Sequence, residues 1–99
     1  MENSSAPDSP GRFLEKKYLI PNGISQNKLA RDLDVTPMRI CDIVRNRRGI
    51  SADTALRLAR YFGTSPRYWL DMQTEYDLYH AKLRNEAVIA MTVRKNALI

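Results

Sequence analysis

Two short capped segments with almost nothing between them constrain this chain most: "SQNKLARDL" from Ser25 to Leu33, and "TPMRICDIVRN" from Thr36 to Asn46, separated only by Asp34 and Val35. Ser25 can cap a helix by accepting from a backbone N–H, and Leu29, Ala30 and Leu33 then recur at the spacing of one helical face while Lys28 and Arg31 point away from it. Thr36 is a favoured N-cap and Pro37 suits the first helical position, so a second helix starts there. Asp34 falls where the chain has to turn, at a place that wants a residue tolerant of the left-handed region; Gly does this best and Asp or Asn can manage it.

The two sides of the second segment differ in kind. At about 100° per residue, Ile40, Ile43 and Val44 share one side with Cys41 at its margin, and Met38, Asp42, Arg45 and Asn46 share the other with Arg39 on its flank. Continuing the helix would swing Arg47 toward the apolar side. The helix is therefore predicted to stop near Asn46, and "RNRRG" becomes its exit.

Charge is concentrated at this exit. Residues 1 to 35 balance, whereas Thr36 to Arg48 hold four arginines against one aspartate; the other excess of positive charge lies between His80 and Ile99. A basic cluster beside a helix is the footprint that attracts phosphate backbones. The scarcity of other chemistry points the same way. One cysteine, Cys41, excludes an internal disulfide, and with a single histidine, His80, the usual Cys and His ligands of a structural zinc site are missing. With no Gly-rich phosphate loop and no Cys/His pair near in sequence, the reading is against an enzyme, a metal site or a cofactor.

The remaining elements frame these two. Up to Pro10 the chain is polar and rich in Pro and Ser, so residues 1–9 are expected to form a flexible segment. A short helix is predicted from Pro10 to Tyr18, with Phe13, Leu14, Lys17 and Tyr18 on its core side, ended by "IPNG". Another is predicted from the cap Ser51 to Gly63, with Ala55, Leu58, Ala59 and Phe62 inside and Arg57 and Arg60 on a solvated outer face. A fifth, long helix starts at Ser65 and Pro66, and Trp69, Met72, Tyr76, Tyr79 and Leu83 form its seam. The predicted domain covers residues 10–84. Beyond about Asn85 the phase fails, and "AVIAMTV" in the extension 85–99 is open between a helical continuation, an added strand and a dimer arm. The first residues lack the charged start and apolar stretch of a signal peptide, and no apolar run is long enough to cross a bilayer, so a soluble, cytoplasmic protein without membrane contact is expected.

Two short helices joined by a tight turn, the second starting Thr-Pro and exposing polar and basic residues, fit a helix-turn-helix. The polar side of the second helix would lie in a DNA major groove, with Arg47, Arg48 and the start of the first helix where the duplex backbone passes.

The stretch "SQNKLARDLDVTPMRICDIVRNRRGISADTALRLARYFGTSPRYWLDMQTEYDL" resembles the Xre/Cro-type (lambda repressor-like) helix-turn-helix proteins, and specifically the HigA antitoxins of the virulence-associated protein I type. The likeness runs from near Ser9 to about Leu78, and "RRGISADTALRLARYFGTSPRYWLDMQ" is much longer than the generic DNA-binding motif. Asp34 departs from the pattern, which usually has Gly there. The resemblance implies an all-α, five-helix domain that dimerises, represses its own operon at an inverted-repeat operator on the nucleoid, and neutralises a HigB-like, mRNA-cleaving toxin of the RelE type. Carried over position by position, it makes Gln26, Thr36, Met38, Arg39, Asp42, Arg45 and Asn46 the DNA-facing residues, to which the charge argument adds Arg47 and Arg48. Two alternatives stay open: a stand-alone Xre-type regulator without a toxin, and an interaction module that no longer touches DNA. For a toxin, which is basic because it handles RNA, the candidate surfaces are the acids Asp71, Glu75 and Asp77 on the last helix and Glu2, Asp8 and Glu15 near the start.

Overall fold

Five hydroxyl groups start the five helices. Ser9, Ser25, Thr36, Ser51 and Ser65 each accept a hydrogen bond from the backbone N–H three residues on, at 3.2, 3.0, 3.2, 3.2 and 3.1 Å. Each such cap contributes about 1 kcal/mol. Pro10, Pro37 and Pro66 follow three of these caps, at a position where a missing N–H costs nothing. The computed structural model describes residues 6–99. It contains α1 (Pro10–Leu14), α2 (Gln26–Leu33), α3 (Pro37–Val44), α4 (Ala52–Phe62) and α5 (Pro66–Thr92), with no strand among the described residues.

The first helix departs from the prediction in its second turn. Residues Glu15–Leu19 continue it as a π-helical turn, closed by Ile20 N–H donating to the Glu15 carbonyl at 3.0 Å. This wider turn brings Leu14 and Leu19, five residues apart, into the core together, and both are buried. Lys17, predicted to face the core, is exposed instead, with its ammonium 5.3 Å from the centroid of the Phe13 ring. Of the segment predicted as flexible, residues 1–5 lie outside the described residues; Ser9 caps α1, and Asp8 pairs with Lys16 at 3.2 Å.

The core is a single cluster centred on Trp69, which is fully buried. Phe13, Tyr18, Phe62 and Tyr68 surround its indole with ring centroids 5.2–6.5 Å away, and its Nε1–H donates to Thr64 Oγ1 at 2.8 Å, so the polar end of the largest buried side chain is satisfied. Leu29, Ala30 and Leu33 from α2, Ile40 and Ile43 from α3, and Ala55, Leu58 and Ala59 from α4 complete it. The inner stripes that helical spacing predicts for α2, α3 and α4 are therefore the core-facing ones, with Val44 and Phe62 half-buried at its edge, because one amphipathic face per helix is all that a core this size needs.

The last helix makes "AVIAMTV" a helical continuation and not an added strand. α5 runs unbroken through Asn85 to Thr92 and stops as Val93 turns extended. At 27 residues it is about 40 Å long. Its seam fades along its length: Trp69 is buried, Met72, Tyr76 and Tyr79 are half-buried, and Leu83 is 69% exposed. From Lys82 onward every residue is exposed. No helix among the described residues is long and apolar enough to cross a membrane.

Candidate nucleic-acid interface

α2 and α3 each close at their C-terminus on a left-handed residue. Asp34 takes φ 59° and ψ 48°, its N–H donates to the Arg31 carbonyl at 3.2 Å, and Val35 N–H donates to the Ala30 carbonyl at 3.0 Å. This double bond pattern closes α2 and redirects the chain after only two residues, so Thr36 can cap α3 at once. The same device ends α3. Asn46 lies at φ 59°, its N–H donates to the Ile43 carbonyl at 3.0 Å, and Arg47 N–H donates to the Asp42 carbonyl at 2.7 Å. α3 therefore closes at Val44, with Arg45 as its C-cap, two residues before the predicted end at Asn46; Asn46 becomes the pivot of the exit.

The turn between the two helices is also held from outside. Arg57 of α4 donates from Nη1 to the carbonyls of Leu33 (2.9 Å) and Asp34 (3.3 Å) and from Nε to Asp53 Oδ2 (2.9 Å). Its assignment to a solvated face is thus corrected: the guanidinium reaches back across the turn and satisfies carbonyls that the left-handed exit leaves open. Helical spacing shows which way Arg57 points. It gives no sign of what lies there.

The α3 face carries Met38, 63% exposed, with Arg45 exposed at the C-terminal end. Arg39 is half-buried because its Nη1 donates to Asp53 Oδ2 at 2.8 Å. Hydrogen bonds from Arg57 and then from Arg39 hold the Asp53 carboxyl below the usual carboxylate range. That lowering makes the pairing a stabilising contribution at neutral pH, lost as pH falls through the folded-state value. Asp42 is half-buried, with Arg47 Nη1 3.9 Å from its Oδ1. Thr36 spends its hydroxyl oxygen on the cap and keeps its O–H as a donor.

Gln26, the first residue of α2, is half-buried and lines a polar hollow of about 500 Å³ with Ser9, Arg12, Glu15, Arg45 and Asn46. Arg12 was missed in the sequence because its neighbours there are far away in the chain. The structure brings this exposed cation to the lining of the same hollow as Arg45, 33 positions later.

The basic exit loop is stapled to α5. Asn46 Nδ2 donates to the Tyr76 hydroxyl at 2.6 Å, and Ile50 N–H donates to Gln73 Oε1 at 2.8 Å while Ile50 itself is buried. Arg47 and Arg48 stay exposed between these anchors. Asn46, expected to face DNA, gives one amide N–H to α5 and keeps its other N–H and its Oδ1 on an exposed side chain. Gln26, Thr36, Met38, Arg39 and Arg45 remain along the α2–α3 side with Arg47 and Arg48 beyond them, and among the described residues no group of His, Cys, Asp or Glu is arranged to hold a metal ion.

Residues 16–69 match the helix-turn-helix family model. Virulence-associated protein I of Dichelobacter nodosus is 52% identical over 79 residues, covering 80% of this chain and 73% of the relative, and antitoxin HigA-1 of Vibrio cholerae is 31% identical over 78 residues, covering 79% and 73%. The chain belongs to the helix-turn-helix family, in the group of virulence-associated protein I and the HigA antitoxins. Among solved members of this group, the Pseudomonas aeruginosa antitoxin HigA with the higBA promoter superposes with a TM-score of 0.85 at 43% identity, covering 89% of this chain and 96% of that one. Antitoxin GraA in complex with its operator gives 0.88 at 35%, covering 98% of both. The matched residues 16–69 span α2, α3, the turn that Arg57 holds and α4.

Proposed function

We propose that this protein is a dimeric, operator-specific repressor that also serves as the antitoxin of a HigB-type toxin, acting in the cytoplasm at its own promoter and without catalysis of its own. The observation that carries the DNA reading is the side of α2 and α3 that stays outside the core: Met38 and Arg45 exposed, Arg39 at its flank, Thr36 and Gln26 at two helix starts, and Arg47 and Arg48 on an anchored loop. In this reading Met38, Arg39, Asp42 and Arg45 reach base edges, whereas Gln26, Thr36, Asn46, Arg47 and Arg48 position the backbone, joined by Arg12. The working unit is the domain 10–84, with the extension 85–99, helical as far as Thr92, as the arm that recruits a second copy. Relatives solved with a promoter and with an operator support the DNA reading.

Binding of the protein to the DNA upstream of its own gene, followed by fluorescence anisotropy, is the test. With Arg12, Arg47 and Arg48 of both subunits on phosphates, log K should fall against log salt with a slope of about −5. Equal affinity for upstream and random DNA would overturn the reading.

The antitoxin half has its own support. A groove of about 490 Å³ between the N-terminal segment, α1 and α5 has Pro7, Phe13, Tyr68 and Met72 as apolar walls and Asp8, Asp71 and Glu75 as an acidic rim. In a chain of net charge +5 such a rim suits a basic partner. Asp71→Lys with Glu75→Lys should weaken the complex with a co-expressed neighbouring toxin at least tenfold and leave operator binding within twofold. An unchanged toxin complex would move the contact elsewhere, and absence of any co-purifying toxin would leave the plain-regulator reading.

A further inference from the structure

Asp53 lies outside the helix-turn-helix, at the second position of α4, yet its carboxylate is where the turn and the recognition helix meet. Oδ2 accepts from Arg39 Nη1 at 2.8 Å and from Arg57 Nε at 2.9 Å, and Arg57 Nη2 lies 3.5 Å from Oδ1. Through Nη1, the same Arg57 holds the Leu33 and Asp34 carbonyls. A rigid path therefore runs from the turn backbone through Arg57 and Asp53 to the guanidinium of Arg39.

We infer that Asp53 is a positioning residue for operator discrimination: it holds Arg39 in one orientation for a base edge and keeps that cation from settling on phosphates. This rests on the DNA-binding reading above. A guanidinium has five N–H donors in a planar fork, and Asp53 takes only Nη1, so Nε and Nη2 remain to donate to a base. An untethered arginine has many rotamers, and ordering it at the moment of binding subtracts from base-specific affinity. The anchor also has a sign. Asp53 is exposed beside α3, and a carboxylate there repels the phosphates that a loose Arg39 would otherwise seek. Arg57 matters twice, since it also holds the carboxylate by both oxygens, through Nε to Oδ2 and Nη2 to Oδ1, and so prevents Asp53 from following Arg39 out into solvent.

The two effects make a prediction that loss of fold cannot imitate. In Asp53→Asn, affinity for the operator should fall while affinity for random DNA of equal length holds or rises, so that their ratio drops about tenfold, the size of one lost base-specific contact. Asp53→Glu, which restores the charge, should recover part of the ratio. Combining Asp53→Asn with Arg39→Ala should narrow the ratio no further than Arg39→Ala alone, because both changes remove the same contact. Thermal midpoints of all four proteins establish that each is folded at the assay temperature. Parallel losses on both DNAs, additive effects in the double variant, or tighter operator binding by Asp53→Asn would each overturn the inference. Wild-type protein that fails to distinguish operator from random DNA would instead remove the DNA-binding reading on which it rests.

Discussion

Gly11→Ala is expected to lower the stability of the fold by about 3 to 5 kcal/mol, a large part of what a small domain has. A Cβ on Gly11 would lie 1.7 Å from the carbonyl oxygen of Ile43, 2.5 Å from its carbonyl carbon and 3.0 Å from the Cα of Val44. All three atoms belong to the backbone of α3, so no side-chain rotation relieves the overlap; α1 has to move off α3 and uncover Leu14, Ile40 and Ile43, which are buried together. Gly23→Ala serves as the control. That glycine sits at φ +64° with nothing within 4 Å of the added carbon, so only the left-handed penalty of about 1 to 2 kcal/mol applies. Urea unfolding of the two variants checks the contrast. Equal midpoints would mean that α1 and α3 are not packed as closely as the structure has them.

Truncation after Asn85 is expected to convert the protein into a folded monomer and to weaken binding to the full operator about 10² to 10⁴-fold, with affinity for a half-site unchanged. The core loses nothing in this truncation, because every residue from Lys82 onward is exposed. What goes is an apolar arm: Val88, Ile89 and Met91 are 58%, 51% and 86% exposed on a helix that runs on past the body. Leu78 and Leu83, at 52% and 69%, extend the same exposure toward the domain. One α3 reads only a few base pairs, and an inverted repeat needs two held at a fixed spacing. Light scattering with anisotropy on full and half-sites separates the steps. A truncated protein that still sediments as a dimer, or a full-length monomer at micromolar concentration, would take the arm out of the interface.

What could be read from the sequence was local. A serine or threonine followed by a helical stripe needs only neighbours to act, so Ser25, Thr36, Ser51 and Ser65 were legible as caps, and Asp34 was legible as a left-handed residue between two stripes. Arg57 and Asp53 were not legible as a clamp, because their partners lie up to 24 residues away and depend on how α4 crosses the turn. The π-helical turn was hidden for a related reason: a helix adopts that turn only when the core has a place for both Leu14 and Leu19. Asn46 is the instructive case at the interface. On a helical wheel it shares the side of Arg45, yet the left-handed exit redirects its amide to Tyr76 of α5. Residues 85–92 were open in the sequence because β-branched residues weaken the helical preference without supplying a competing partner, and in the structure the helix simply continues.

The most direct measurement compares operator and random DNA for Arg39→Ala, Arg45→Ala and Arg48→Ala at one salt concentration. If α3 reads bases, the first two should each lose about 1 to 3 kcal/mol on the operator and far less on random DNA, whereas Arg48→Ala should weaken both alike and reduce the salt slope by about 1 for each phosphate contact removed. Equal losses on both DNAs for all three variants would contradict the assignment of the α3 face as the reading surface.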